Sequence, residues 1–428
     1  MSDSLNVFYC DQHVGVLFNN KGSLSFLYDA AYLKTENPTP LSVSLPLRDA
    51  PFGNEVSYAY FSGLLPEESV RRWLARYLHV SEGNVFGLLK EIGGECAGAV
   101  SLYPEGEGAE SYTGKAGYRL LTEAQADEML SRLETRPFMV GEDGVRISGA
   151  GAQSKMMVAF VEGQMALPVY GMPSSHIIKP AVHGFEETVH NEFFCMRLAG
   201  ILGLPVPETA IHYVAEKPYY LVARYDRVKQ GGVLTRLHQE DFCQALGLPP
   251  NQKYQNEGGP DLAACFSLLA EKIAEGAMPG QDRLTLLRGV IFNYLIGNGD
   301  AHGKNFSFLY NGQKNAQTKG QAVRLAPFYD LMCTLVYGEL YKSKMAMKIG
   351  SKYRFHDMSF VQFDHLAKIA GVSPSFVRKQ LIEMGTRIGD EAAKLAFNFN
   401  QNHQTASPIY QNIIDIIRKN AAFVEHRG

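Results

Sequence analysis

Near the amino terminus apolar and polar positions alternate. The stretch "NVFYCDQHVGVLFNNKGSLSFLYD", broken by the turn residues Asn20 and Gly22, predicts a hairpin. The period then changes. "PEESVRRWLARYLHV" spaces its apolar residues as a helix does, with Pro66 and two glutamates at its start and Arg71, Arg72 and Arg76 further along. "IGGECAGAVSLYP" predicts another strand entered by a turn, and the Gly/Glu-rich residues 104–117 read as a linker ahead of the helical "TEAQADEMLSRL".

From 145 to about 235 strands dominate, in "VRISGAGAQSKMMVAFVEG", "PSSHIIKP" and "YYLVARYDRV". One helix interrupts them, "EETVHNEFFCMRLAGILG", closed by Gly203 and Pro205. Beyond 235 the pattern is helical, through "DLAACFSLLAEKIAEG" and "DRLTLLRGVIFNYLIGN" to "SPIYQNIIDIIRKNAAFVEHR". The expected class is α+β. A small α+β subdomain spans 1–103, a linker and helix 104–144, a strand-rich lobe 145–235 and an all-helical lobe 236–428. Ligands often bind where two such lobes meet.

Composition narrows the chemistry. Of 428 residues, 46% are hydrophobic and 20% charged, as in globular chains, and a net charge of −3 gives no bulk attraction to nucleic acid or anionic membrane. The six cysteines stand singly with no CxxC pair, and the twelve histidines form no HExxH. No basic-then-apolar leader and no apolar run long enough for a bilayer is present, so a soluble cytoplasmic protein is expected.

Phosphoryl transfer from ATP needs a loop over the phosphates, a lysine to pair them, a carboxylate to orient the nucleophile and two magnesium ligands. Candidates occur in the chain order used by protein kinases. "RISGAGAQSK" (146–155) sits between apolar strands, and its small residues allow backbone N–H groups to approach phosphate, although a hairpin turn reads the same way. Lys179 ends the strand "HIIK", and Glu192 on the following helix is a candidate ion-pair partner. "GDAHGKN" places Asp300 and Asn305 in a D-x-x-x-x-N loop without the HRD arginine, matching the D-x-H-x-x-N of phosphoinositide-type kinases. "VRLAPFYD" then ends an apolar strand at Asp330, where a DFG aspartate would stand. Each spacing alone is common; all five in order, at a change from strands to helices, mark a kinase site.

These residues bring out a collinear likeness. The chain resembles the HipA kinases, the toxin half of HipBA-type toxin–antitoxin pairs. The likeness includes "PLSVSLPLR" (40–48), "FSGLLPEE" (61–68), "EIGGECAGAV" (91–100), "RISGAGAQSK", "HIIK", "NEFFCMRLAGILGLPVP" (191–207), "QEDFCQALGLP" (239–249), "KYQNEGGP" (253–260), "GDAHGKNFS" (299–307) and "PFYD" (327–330). It implies a two-lobed protein-kinase-like body behind a small amino-terminal subdomain, using ATP and Mg2+ as a serine/threonine kinase. Asp300 would be the base, and Asn305 and Asp330 the magnesium ligands. Ala150, Gly151, Ala152, Gln153, Ser154 and Lys155 would cover the phosphates that Lys179 pairs, with Glu192 holding Lys179. Ala223, Arg224 and Tyr225 would line adenine through backbone atoms, and His302, Gly303, Lys304 and Tyr329 would complete the nucleotide site.

The likeness further implies autophosphorylation at Ser148 as an off-switch. It also implies a HipB-like DNA-binding antitoxin that carries most of the affinity for operator DNA, and an aminoacyl-tRNA synthetase as protein substrate. Three positions depart from the family pattern: Ser154 replaces a Glu, Ala223 replaces a hinge Glu, and Gly149 replaces a β-branched residue, which predicts a more mobile loop. Two other readings use the same residues: a small-molecule or lipid kinase, and a nucleotide-binding co-repressor with little kinase activity.

Overall fold

The alternating stretch forms three strands, not one hairpin: β1 (Asp3–Tyr9), β2 (Gln12–Asn20) and β3 (Ser23–Tyr28). Both connections are two-residue turns with positive φ, at Cys10–Asp11 and Lys21–Gly22, matching the twist of paired strands. The computed structural model describes residues 3–108, 115–314, 321–340 and 344–425; part of the expected linker, 109–114, lies outside them. The chain divides into two compact units, each assembled from several segments. One holds 1–180, 213–250 and 308–322, the other 181–212, 251–307 and 323–428. These are not the consecutive blocks that the sequence pattern suggests.

In the first unit β3-β2-β1 is completed by β4 (Val100–Pro104). The alternation buries Leu5, Val7, Leu24 and Phe26 against Tyr60 and Phe61 of the helix Asn54–Gly63 and Leu88 and Leu89 of the helix Val85–Ile92. A second sheet has the order β5-β7-β6-β8-β10-β9, from Gly117–Leu120 (β5), Met156–Val161 (β6), Gln164–Val169 (β7), His176–Lys179 (β8), Thr209–Val214 (β9) and Lys217–Ala223 (β10). Its core gathers Met156, Val158, Leu167 and Ile178 with Phe138 and Ile147.

The second unit is mainly helical. Its longest helices are Pro374–Asn400 and Ile409–Glu425, and Gly385 on the first lies against Val424 on the second. Helices Thr188–Ile201 and Gln281–Leu295 are buried along most of their length. The expectation of an all-helical segment after 236 needs correction. Strands occur at His238–Asp241, Ser307–Lys314, Gln321–Leu325, Lys344–Ile349 and Lys352–Arg354. These runs are short, and His238–Asp241 and Ser307–Lys314 pair across about seventy residues of intervening chain, so local periodicity carries little of the signal.

Candidate active site

The loop that carries Asp300 follows the buried helix Gln281–Leu295 and turns at Gly297, whose φ is +73°. A ladder of amides sets its shape. Asn293 donates to the Gly289 carbonyl at 3.0 Å, Asn298 donates to Asn293 Oδ1 at 2.7 Å, and the Asp300 N–H donates to Asn298 Oδ1 at 3.0 Å. Asn305 Nδ2 closes the loop onto the Asp300 carbonyl at 3.0 Å, which leaves Oδ1 as the atom of that amide offered to a cation. The Tyr254 hydroxyl donates to Asp300 Oδ1 at 2.7 Å, with the Tyr254 ring edge-on to His302. The Gly303 N–H donates to the Lys253 carbonyl at 3.2 Å, and Gly303–Asn305 form a single 3-10 turn with Lys304 buried.

The segment bearing Asp330 is pinned to the same loop. Tyr329 donates to the Lys304 carbonyl at 2.7 Å and shares a 2.6 Å hydrogen bond with Ser307. Phe328 packs over Gly289, where a Cβ would lie 2.2 Å from its ring, so only glycine fits there. Asp330 has a φ of +53°, a left-handed conformation that a non-glycine residue keeps where its surroundings fix it. Downstream, Asn191 bonds both the N–H and the carbonyl of Cys333 at 2.9 Å, and Thr334 Oγ1 accepts the Gly299 N–H at 2.7 Å. Asn191, Tyr254, Asn293 and Asn298 were given no role by sequence reasoning. Tyr254 and Asn191 do fall inside stretches quoted for the HipA likeness, which is the signal that could have found them.

In the first unit the glycine-rich loop folds back on itself. Lys155 Nζ donates to the Ala150 carbonyl at 2.6 Å, Gln153 to the Pro180 carbonyl at 3.0 Å, and Gly151 has a φ of +105° that favours glycine. Ala152 and Ser154 are half-buried. Ser148 is fully buried; its hydroxyl donates to the Leu64 carbonyl at 2.6 Å and its N–H to the Glu95 carbonyl at 2.8 Å. Gly149 is close-packed, since a Cβ there would meet Met157 Cε at 2.3 Å and the Phe138 ring at 2.9 Å. The expected extra mobility of this loop therefore has no support in its packing. Lys179 is buried on β8, opposite Tyr220 and 5.5 Å from that ring's centroid. Glu192 is buried in the helix Thr188–Ile201 of the second unit.

The expectation for Arg224 concerns its backbone; its side chain is engaged away from any base. Its side chain enters a buried cluster, bonding Asp226, Ser174 and Glu95, while its N–H donates to Ser175 and its carbonyl accepts from Arg227. The N–H is thereby committed, while the carbonyl oxygen keeps a second lone pair for a base. Ala223 pairs with His176 at the end of β10, and the Tyr225 hydroxyl donates to Gln239.

Comparison with known proteins decides the family. The model of the HipA-like C-terminal domain matches residues 147–394, and that of the HipA N-terminal domain matches 5–103. The chain is 41% identical over 395 residues, 91% of each chain, to Y4mE of Sinorhizobium fredii, which carries a provisional kinase name. The chain belongs to the HipA-type serine/threonine kinase family. It is also 29% identical to the serine/threonine-protein kinase toxin HipA of Shewanella oneidensis, over 83% of this chain and 81% of that one. A structure of a Shewanella oneidensis HipA, HipB and operator DNA complex matches with a TM-score of 0.81 at 24% identity, covering 99% of this chain and 98% of that one. The mixed fold expected from the sequence is thus the HipA fold.

The residues present fit a magnesium nucleotide. Among the described residues no group of three or more His, Cys, Asp or Glu side chains forms a resident metal centre. Asn305 and Asp330 supply hard oxygen donors in the small number suited to a cation that arrives with phosphates. The buried ammonium groups of Lys155 and Lys179 suit an anionic ligand.

Proposed function

We propose that this HipA-type kinase is the ATP- and Mg2+-dependent toxin of a type II toxin–antitoxin pair, acting on serine or threonine of a protein. Asp300 accepts the proton of the attacking hydroxyl, and Tyr254 and the amide ladder keep its carboxylate aimed. Asn305 and Asp330 hold magnesium, which draws negative charge from the transferring phosphoryl group when bound. Lys179, held by Glu192, pairs the phosphates, and residues 150–155 cover them. Ala223, Arg224 and Tyr225 border the base through backbone atoms, with His302, Gly303, Lys304 and Tyr329 around the nucleotide.

The observation that carries this reading is the anchored carboxylate of Asp300, beside an Asn305 amide turned to offer its oxygen. The protein substrate is an aminoacyl-tRNA synthetase, the partner a HipB-like antitoxin that mediates contact with operator DNA, and the compartment the cytoplasm. No helix among the described residues is long and apolar enough to cross a membrane. Ser148 is the off-switch. A phosphate dianion cannot occupy the buried site where its hydroxyl now donates to Leu64, so modification holds the loop out of this packed position.

Phosphopeptide mass spectrometry of cells expressing the wild type beside Asp300→Ala tests the reading. Loss of the base lowers transfer by roughly 10²–10⁴-fold with ATP binding retained, and wild-type phosphorylation in the variant would refute it.

A further inference from the structure

Away from the catalytic loop, the second unit contains a cavity of about 760 Å³. Aromatic rings of Tyr294, Phe355 and Phe423 give it an apolar floor, with Tyr294 and Phe355 stacked at 6.0 Å. The floor is held rigidly: the Tyr294 hydroxyl donates to the Asn420 carbonyl at 3.0 Å, and the Asn420 amide donates back to Tyr294 and Leu295. The remaining side is cationic. Lys344, Arg354, His356 and Lys419 line it, all exposed, and no carboxylate among the described residues does so. Asp357, next to the lining in sequence, lies 3.4 Å from His356 Nε2.

Two of these cations face each other. Lys344 and Arg354 are directly opposed in the antiparallel pair of Lys344–Ile349 with Lys352–Arg354, an arrangement that repels unless an anion lies between them. Such a concentration is a local exception in a chain of net charge −3. Leu335 also lines the cavity, five residues beyond Asp330, on the segment that Thr334 ties to the catalytic loop.

We propose that this cavity docks an acidic segment of the protein substrate, with an apolar side chain on the aromatic floor and carboxylates against the four cations. This rests on the protein-kinase reading above. A protein segment is favoured over nucleic acid because the cavity adjoins the stretch after Asp330, where a kinase acting on protein receives its substrate.

The test uses the full chain and a fluorescein-labelled peptide of glutamates around one phenylalanine, read by anisotropy. The same peptide with glutamine for glutamate and an oligothymidylate of equal charge serve as controls. Affinity for the acidic peptide falls at least about tenfold in the glutamine peptide and in the Lys344→Gln/Lys419→Gln chain, and weakens between about 50 and 200 mM salt. Arg354→Gln weakens binding while holding or raising the melting temperature, which separates docking from folding. Equal binding of the glutamine peptide, unchanged affinity in the double variant, or tighter binding of oligothymidylate overturns the proposal. The peptide is expected to bind Asp300→Ala at wild-type affinity. A wild-type chain that docks peptide but transfers no phosphate refutes the kinase reading; one that autophosphorylates yet ignores the peptide refutes the docking site.

Discussion

Tyr254 is held as firmly as the carboxylate it serves. Its carbonyl accepts the N–H groups of Glu257 and Gly259 at 2.9 Å, and a Cβ at Gly259 would lie 2.3 Å from the Gln252 carbonyl oxygen. The tightly wound loop has little freedom to move its hydroxyl from Asp300. Tyr254→Phe keeps the ring against His302 and removes only that bond, and a hydrogen bond to a charged group is worth about 1.5–3 kcal/mol. Steady-state kinetics should show kcat reduced roughly 10–100-fold with KM for ATP unchanged; a change confined to KM would remove Tyr254 from the positioning of Asp300. Asp300 and Asn305 were legible in the sequence because their spacing is local. Tyr254 lies 46 positions before Asp300 and has no motif of its own. Glu240 is a second residue that the sequence left without a role. Burial pushes its carboxyl up to about 7, although Ser42, Tyr310 and the Val43 N–H donate to it. The folded state therefore favours the neutral acid. That contribution is complete below the ordinary carboxyl value of 4.5 and is lost as pH rises to about 7, roughly 3 kcal/mol in all. Glu240→Gln should flatten the decline of melting temperature between pH 5 and 8, and parallel wild-type and variant curves would contradict this.

At the scale of elements, the glycine-rich loop was legible as a loop but not in its packing. Its sequence identifies small residues; the contacts that use them come from Phe138 and Met157, from Leu64 on the amino-terminal subdomain, and from Glu95. Pro66 and Gly151 form a parallel bridge, and the Glu67 N–H donates to the Gly151 carbonyl at 3.0 Å, so the subdomain forms one wall of the loop. Gly149→Val would restore the β-branched type that the family pattern led one to expect, yet its side chain enters occupied space. Overpacking of this kind costs about 1–3 kcal/mol, and denaturant unfolding should show that loss with the slope unchanged. A variant as stable as the wild type would mean that Met157 and Phe138 yield freely. The helices whose apolar period persists over many residues were read, as in Ile409–Glu425, whereas the shorter Asn54–Gly63, Val85–Ile92 and Phe360–Ile369 were not. The strands after 236 were missed because the runs are short, and for His238–Asp241 with Ser307–Lys314 the partner also lies far away in the chain.

Across the whole chain, the buried charges of the first unit bind regions that sequence reading treats as separate domains. Glu95 belongs to the amino-terminal subdomain, and Arg224, Asp226 and Arg227 follow β10 in the kinase body. Glu95 Oε1 accepts from Arg224, from Arg227 at 3.0 Å and from Ser174, while Asp226 accepts from Arg224 at 2.7 Å and from the Gly98 N–H at 2.7 Å. Two acids and two bases cancel, and each is at least nine-tenths buried. This commits the Arg224 side chain to the fold: withdrawing it would leave Arg227 alone to balance two buried carboxylates. Burial pushes both acids up, but the Arg224 and Arg227 guanidinium groups outweigh it and hold each below its ordinary value. For a carboxyl lowered by folding, the stabilisation is present above the unfolded value, near 4, and disappears as pH falls through the folded one. Asp226→Asn leaves a net positive charge sealed in the cluster, at a cost of about 3–5 kcal/mol. Its melting temperature should fall sharply at neutral pH and lose less than the wild type on further acidification below about pH 4. If the variant melts with the wild type at neutral pH, the cluster does not hold the subdomain to the kinase body, and the packed position of Ser148 must rest on the Leu64 and Glu95 contacts alone.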